Sequence, residues 1–207
     1  MQNGAIRVLM AAALVLGAVA GVAMVATPAR AETLVGTCTV AGPIEQTFLE
    51  TGGQQAWGAP LGDAHATADG GQFQRFERGV FYTKSTVNGG KAYAVHGPIL
   101  AKWGELGWEQ GTLGYPTSNL YKLSTGGFVV PLIGYFGDTP GLWSKFQHGV
   151  IYWSESTGAH PVSGPIYDVW SKTGYESGVY GYPIGDEYPV ADGVAQHFQR
   201  GIVTAAT

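Results

Sequence analysis

The tripeptide Gly-Pro-Ile occurs three times, at Gly42-Pro43-Ile44, Gly97-Pro98-Ile99 and Gly164-Pro165-Ile166, and each copy opens the same series of signals. An internal repeat constrains the fold more than any composition does, because one short unit cannot bury its apolar face alone and must stack on its neighbours. Four residues after each Ile stands a large aromatic: Phe48, Trp103 and Trp170. Ile and aromatic are thus i, i+4 neighbours on one face of a short helix. Pro fits the first helical turn, where its missing N–H leaves nothing unpaired. Gly52, Gly107 and Gly174 follow where a C-terminal cap is expected.

A Gly-x-Pro turn comes next: Gly58-Ala59-Pro60, Gly114-Tyr115-Pro116 and Gly181-Tyr182-Pro183. Asp63, Asn119 and Asp186 stand five residues past its glycine and suit closing a turn on their own backbone. Then Phe76-Glu77-Arg78-Gly79, Phe146-Gln147-His148-Gly149 and Phe198-Gln199-Arg200-Gly201 each precede a β-branched or aromatic run, a hairpin signal. Gly79, Gly149 and Gly201 are expected at positive φ. A further run, Ala92–Val95 or Ala159–Val162, ends the first two copies.

The expected fold is α+β, with three helix–turn–β-hairpin repeats around a pseudo-symmetry axis. The repeats span 42–96, 97–163 with an insertion at 127–140, and 164–207. Thr37–Val40 precedes the first Gly-Pro-Ile as Ala92–Val95 precedes the second. An N-terminal strand at 32–41 is therefore expected to pair near Ile202–Ala205 and close the array, since unpaired edges are a liability.

Residues 1–31 have the form of a secretory leader. Arg7 is followed by an apolar run from Val8 to Val25, and Ala29-Arg30-Ala31 has the small-x-small form of a cleavage site. The alternative is a retained membrane anchor; with cleavage, no membrane span remains. Lys and Arg total 11 against 15 Asp and Glu, and a leader ending at Ala31 would remove Arg7, Arg30 and no acid. An acidic chain disfavours nucleic acid as a partner. Cys38 is the single cysteine, so no internal disulfide forms. It is expected to be a half-buried strand residue.

These residues resemble the LGFP-repeat family of actinobacterial envelope proteins. Leu113-Gly114-Tyr115-Pro116 with Trp103 and Phe146–Trp153 carries the best match, and Tyr180-Gly181-Tyr182-Pro183 the next. Trp57-Gly58-Ala59-Pro60 departs most, lacking the aromatic between Gly and Pro. The resemblance implies a secreted, cell-wall-associated protein whose repeats hold wall polysaccharide such as arabinogalactan. It also implies partnership with wall enzymes, since such repeats occur alone or appended to mycolyltransferases and amidases. It supplies no catalytic residue.

The sequence holds no nucleophile elbow, His-Glu-x-x-His, Cys-x-x-Cys or phosphate-binding loop. No cofactor and no metal are expected. A glycan hydrolase would need paired carboxylates. Asp63 and Asp186, however, share a repeat position with Asn119, which cannot titrate. Recurring aromatics belong to the core, so those that break the pattern are the candidates for sugar stacking: Trp108, Tyr135, Phe136, Trp143, Trp153 and Tyr175. Tyr115 and Tyr182 join them from the turns, and Arg78, His148 and Arg200 from the hairpins. The expected function is non-catalytic binding of wall polysaccharide. The alternatives are a protein-interaction module tethering or regulating a wall enzyme, and a small glycan hydrolase.

Overall fold

The computed structural model describes residues 7–9, 32–123, 129–131 and 141–206. Strands β1 (Arg7–Leu9), β2 (Glu32–Val35) and β3 (Cys38–Ala41) form the first sheet, followed by helices α1 (Gly42–Glu50) and α2 (Gly53–Trp57). The first repeat continues with β4 (His65–Ala66), β5 (Gln72–Phe76), β6 (Gly79–Thr83), α3 (Ser85–Asn88) and β7 (Ala92–Val95). The second holds α4 (Gly97–Glu105), β8 (Tyr121–Leu123), β9 (Val129–Pro131), β10 (Gly141–Phe146), β11 (Gly149–Ser154) and β12 (Gly158–Ser163). The third holds α5 (Gly164–Lys172), β13 (Tyr188–Val190), β14 (Gly193–Phe198) and β15 (Gly201–Ala205). The sheets are antiparallel, ordered β1-β2-β3, β4-β5-β6-β7, β12-β11-β10-β8-β9 and β13-β14-β15.

Each Gly-Pro-Ile opens a nine-residue helix with Pro in its first turn, and left-handed Gly52, Gly107 and Gly174 follow its end. The i, i+4 pairs Ile44/Phe48, Ile99/Trp103 and Ile166/Trp170 are fully buried. Each helix lies between the sheet before it and the sheet after it. Trp103 shares one apolar cluster with Val80, Tyr82 and Val95 on one side and Leu142, Phe146 and Ile151 on the other. Trp170 joins Val150, Tyr152 and Val162 to Phe198 and Val203. Phe48 joins Val35 and Val40 to Phe76 and Phe81. Both faces of an internal strand are therefore buried, which is why every residue of β6 is.

The repeats are also stapled by side chains. Asp63 Oδ1 accepts from Thr39 N–H and Asn119 Oδ1 from Ala94 N–H, both at 2.9 Å. These residues cap the last strand of the preceding unit rather than closing their own turns. Pro161 stands at the matching place in β12 and has no N–H, so Asp186 turns to His160 Nδ1 at 2.7 Å and Lys102 Nζ at 2.8 Å. Burial opposes the charge of Asp186, but Lys102 and His160 outweigh it and hold the carboxyl below its ordinary range. Gln74 Nε2 donates to Thr39 O and Gly62 O, and Gln196 Nε2 to Pro161 O and Gly185 O, within 3.0 Å.

The expected closure of the array is not formed. β3 pairs with β2 through the tight turn at Gly36, and among the described residues β15 has a ladder only with β14. Local pairing wins because the hairpin closes a two-residue loop, whereas joining the ends must order the whole chain between them. Thr33 and Val35 take the places of Val80 and Tyr82, and the Thr33 hydroxyl donates to Glu45 of α1. The hairpin thus covers α1 as β6–β7 covers α4. Gly79 and Gly149 are not at positive φ. Their requirement is space: a Cβ on Gly79 would stand 3.0 Å from Val95 O, and one on Gly149 2.7 Å from Val162 O.

A candidate carbohydrate groove between repeats

Where the β5–β6 hairpin meets α4, the surface opens into a groove of about 360 Å³. Its apolar walls are Leu61, Leu100 and Trp108; Arg75, Glu77 and Arg78 bring charge, and Tyr82 contributes from β6. A second cavity of about 260 Å³ shares Leu61 and Arg75 and adds Asp63, His65 and Phe73. Apolar walls with a few polar groups are the usual make-up of a small-ligand site.

Trp108 is built into this groove under strain. Gly107 leaves α4 in the left-handed region, and Trp108 follows it there at φ 58°, opening a short 3-10 turn, Trp108–Gln110. Its ring stands edge-on to buried Trp103 at 5.4 Å yet is 38% exposed. Tyr175 repeats this arrangement with φ 55°, 39% exposure and Trp170 at 5.6 Å. Both aromatics therefore recur in register, contrary to expectation; α2 has Gly53 at this place. A non-glycine residue held at positive φ stores strain that the surrounding packing must support, and such residues gather at functional sites.

Beneath the groove the Tyr82 hydroxyl is bonded to Glu109. Burial raises the Tyr82 hydroxyl well above its ordinary range, and the facing Glu109 carboxylate adds to this. Tyr152 and Glu176 repeat the pair one unit later. There Tyr167 replaces Leu100 and leans on Tyr175 at 6.1 Å.

Trp108 and Arg78 line the groove as candidates. Arg78 also donates to Gln55 O and Ala56 O at 2.7 and 2.8 Å, and Arg200 bonds Val179 O and Gly178 O, so both fasten a turn. His148 is exposed at its hairpin, away from the groove. Tyr115 is not a surface residue. It is 2% exposed, and its hydroxyl meets Thr67 at 2.7 Å and Asp69, which also binds Lys84 at 2.5 Å. Burial and then the Asp69 bond push the Tyr115 hydroxyl up to about 12. Tyr182 is half-buried, with its ring over Gly141 as Tyr115 lies over Gly71. Trp143 also recurs, matching Phe73, and stacks between Tyr121 at 4.7 Å and Tyr152 at 5.8 Å. Trp153 packs half-buried against the core around Trp103. Tyr135 and Phe136 lie outside the described residues. Sequence reasoning missed Leu61, Arg75, Glu77, Leu100 and Tyr82. The Glu109/Glu176 recurrence was the available signal.

Among the described residues no helix is long and apolar enough to cross a membrane, and no three His, Cys, Asp or Glu side chains gather as metal ligands. No curated protein matches the chain. The LGFP repeat profile matches residues 58–111 and 130–178. Each matched segment runs through a hairpin and its closing strand to the end of the next helix and its aromatic turn, so the matched unit spans the two sides of the groove. LGFP repeats are associated with cell-surface proteins. The chain belongs to the LGFP-repeat family.

Proposed function

We propose that this is a secreted, non-catalytic envelope protein that binds wall polysaccharide in the groove between its first two repeats. The observation that carries the reading is Trp108: an aromatic held half-exposed at positive φ over a groove that also presents the exposed side chains of Arg75, Glu77 and Arg78. A sugar ring offers an apolar C–H face to such a ring and hydroxyls to such polar groups. Non-catalytic action fits the use made of the acids. Asp63 caps a strand, Asp186 is paired with Lys102 and His160, and Asp69 is paired with Lys84. The leader-like residues 1–31 support export.

The test is retention on insoluble arabinogalactan, peptidoglycan and an unrelated glycan. The expected result is retention on wall glycan and its loss in Trp108→Ala, by roughly tenfold for one stacking contact of about 1.4 kcal/mol. Equal failure on all three supports would overturn the reading.

A further inference from the structure

Helices α1 and α4 meet the last strand of their own repeats in different ways. In the second repeat an ion network bridges the two: Lys102 of α4 reaches Asp186 at 2.8 Å and Glu105 at 3.3 Å, and Asp186 reaches His160 of β12 at 2.7 Å. One repeat earlier, the residues matching Lys102, Glu105, His160 and Asp186 are Thr47, Glu50, Tyr93 and Asn119. Thr47 is short, and its hydroxyl is taken up by Ala92 O at 2.9 Å. Asn119 carries no charge, and its Oδ1 is taken up by the Ala94 N–H. No ion network can form from these four residues. A cleft of about 670 Å³ stands there instead, and all four line it.

The first repeat also enlarges this place with a longer connection. Residues 155–157 suffice to join β11 to β12, whereas β6 and β7 are joined by residues 84–91, which include α3. Ser85, Gly89, Gly90 and Lys91 of that connection enter the lining, beside Pro43, Gln46 and Glu50 of α1. Gly89 and Gly90 both lie at positive φ, 62° and 79°, so the turn presents bare backbone to the cleft. Extra residues carried by one repeat and not by its neighbour often build a binding face. The lining differs in kind from the Trp108 groove. It has the amides of Gln46 and Asn119, the hydroxyls of Ser85 and Tyr93, and one charge of each sign, Glu50 and Lys91. Both charged side chains are exposed, and neither joins an ion pair among the described residues; Glu50 Oε1 accepts from Gln46 Nε2 at 2.9 Å. With its Oδ1 occupied, Asn119 presents its amide nitrogen as a donor.

We propose that this cleft is a site for a short zwitterionic peptide, with the ligand's ammonium at Glu50, its carboxylate at Lys91 and its peptide groups on Gln46, Asn119 and the Gly89-Gly90 backbone. A ligand with one charge of each sign meets both side chains attractively. An anion or a cation would meet one of them as a like charge, and a neutral saccharide would leave both without a counter-charge. Peptide groups supply the donors and acceptors that amides and bare backbone pair with. The volume falls within the roughly 300–1,000 Å³ usual for small-ligand sites. No residue of the cleft lines the Trp108 groove, so the peptide site is separate from the polysaccharide site and does not rest on it.

Isothermal titration of the full chain with tri-alanine, N-acetyl-tri-alanine, tri-alanine amide and maltotriose tests this. The expected result is saturable binding of tri-alanine with a Kd of about 0.1–1 mM. Acetylating its amine or amidating its acid should each weaken binding roughly fivefold. Glu50→Gln should weaken tri-alanine as much as acetylation does, and should not weaken the acetylated peptide further. Lys91→Met should stand in the same relation to the amide. A merely structural role for either residue would not produce that crossed pattern. Thr47→Lys combined with Asn119→Asp brings in the ion pair of the second repeat and should abolish binding; the two single variants keep the test valid if the double variant misfolds. No binding of tri-alanine, binding indifferent to capping or to both charge variants, or a preference for maltotriose would each overturn the proposal. Retention on insoluble glycan is a separate measurement, so either site can fail alone.

Discussion

Ala59, Tyr115 and Tyr182 hold one position of the repeat, and their differences follow from what lies behind them. Tyr115 fills the space above Gly71 of the preceding sheet, and Tyr182 the space above Gly141. Before Ala59 there is only the β1-β2-β3 sheet, with no strand that carries a matching glycine. Small and large residue therefore go together: Tyr115→Ala should cost about 3–5 kcal/mol, and Ala59→Tyr should give no gain. Urea midpoints of the two variants check both directions. A stabilising Ala59→Tyr would mean the tyrosine acts within its own turn and not across the junction. Asn119 makes the same point in polar terms. Asn119→Ala leaves the Ala94 N–H without its acceptor, at about 1–3 kcal/mol for a partly buried donor. Asn119→Asp should retain the bond, since Asp63 makes it to Thr39 in the first repeat.

At the scale of elements, the helices were legible and the junctions were not. Ile and an aromatic four residues apart, with Pro before and Gly after, describe a buried helix wherever it docks, and all three helices lie where that pattern puts them. Phe48, Trp103 and Trp170 with Phe76, Phe146 and Phe198 form the core for the same reason. What Asp63, Asn119 and Asp186 bind depends on the neighbouring unit, and no within-repeat period encodes that. Trp108 was picked out as a residue that breaks the repeat, and what escaped is that it recurs: it sits at positive φ in register with Tyr175, but the first copy has Gly53, so the recurrence covers two copies only. The strand before Gly-Pro-Ile was found, but 32–41 was read as one strand, whereas the turn at Gly36-Thr37 divides it into the hairpin Glu32–Val35 and Cys38–Ala41. His96, at the start of α4, shows how a junction affects stability. It is buried against Trp57 at 5.2 Å, and burial lowers its pKa to about 4 from an ordinary 6.5. The unfolded chain takes up this proton below about pH 6.5 and the folded chain only below about 4. Stability is thus full above pH 6.5 and falls by about 3 kcal/mol as pH drops to 4. Denaturant midpoints between pH 6.5 and 4.5 should decline in the parent and stay nearly level in His96→Ser, a substitution that puts at α4 the residue Ser163 provides at α5.

For the molecule as a whole, the question is whether three repeats behave as one unit or three. In stacked repeats stability divides into terms within a unit and terms between neighbours. Here the between-unit terms are large, because each apolar cluster takes side chains from two successive sheets and the helix between them. Trp103 stands at the central junction, with Tyr82 of the first repeat edge-on at 4.8 Å, Phe146 of the second at 5.3 Å and its Nε1 donating to Gly114 O. The two junctions flanking the groove are therefore not independent of the ligand site, since Trp103 also supports Trp108. Trp103→Ala should cost about 3–5 kcal/mol and lower the unfolding of the first and second repeats together. Trp170→Ala should act chiefly on the second and third. Hydrogen exchange resolves the units: in Trp103→Ala, protection should drop in β6 and β11 alike, while in Trp170→Ala it should drop in β11 and β15 and be retained in β6. Equal losses in all three strands for both variants would instead mean one all-or-none core, and losses confined to the mutated unit would mean that the junctions contribute little. The outcome in which β11 is affected by both variants is the one the shared clusters require, because of β6, β11 and β15 only β11 contributes to the clusters of both tryptophans.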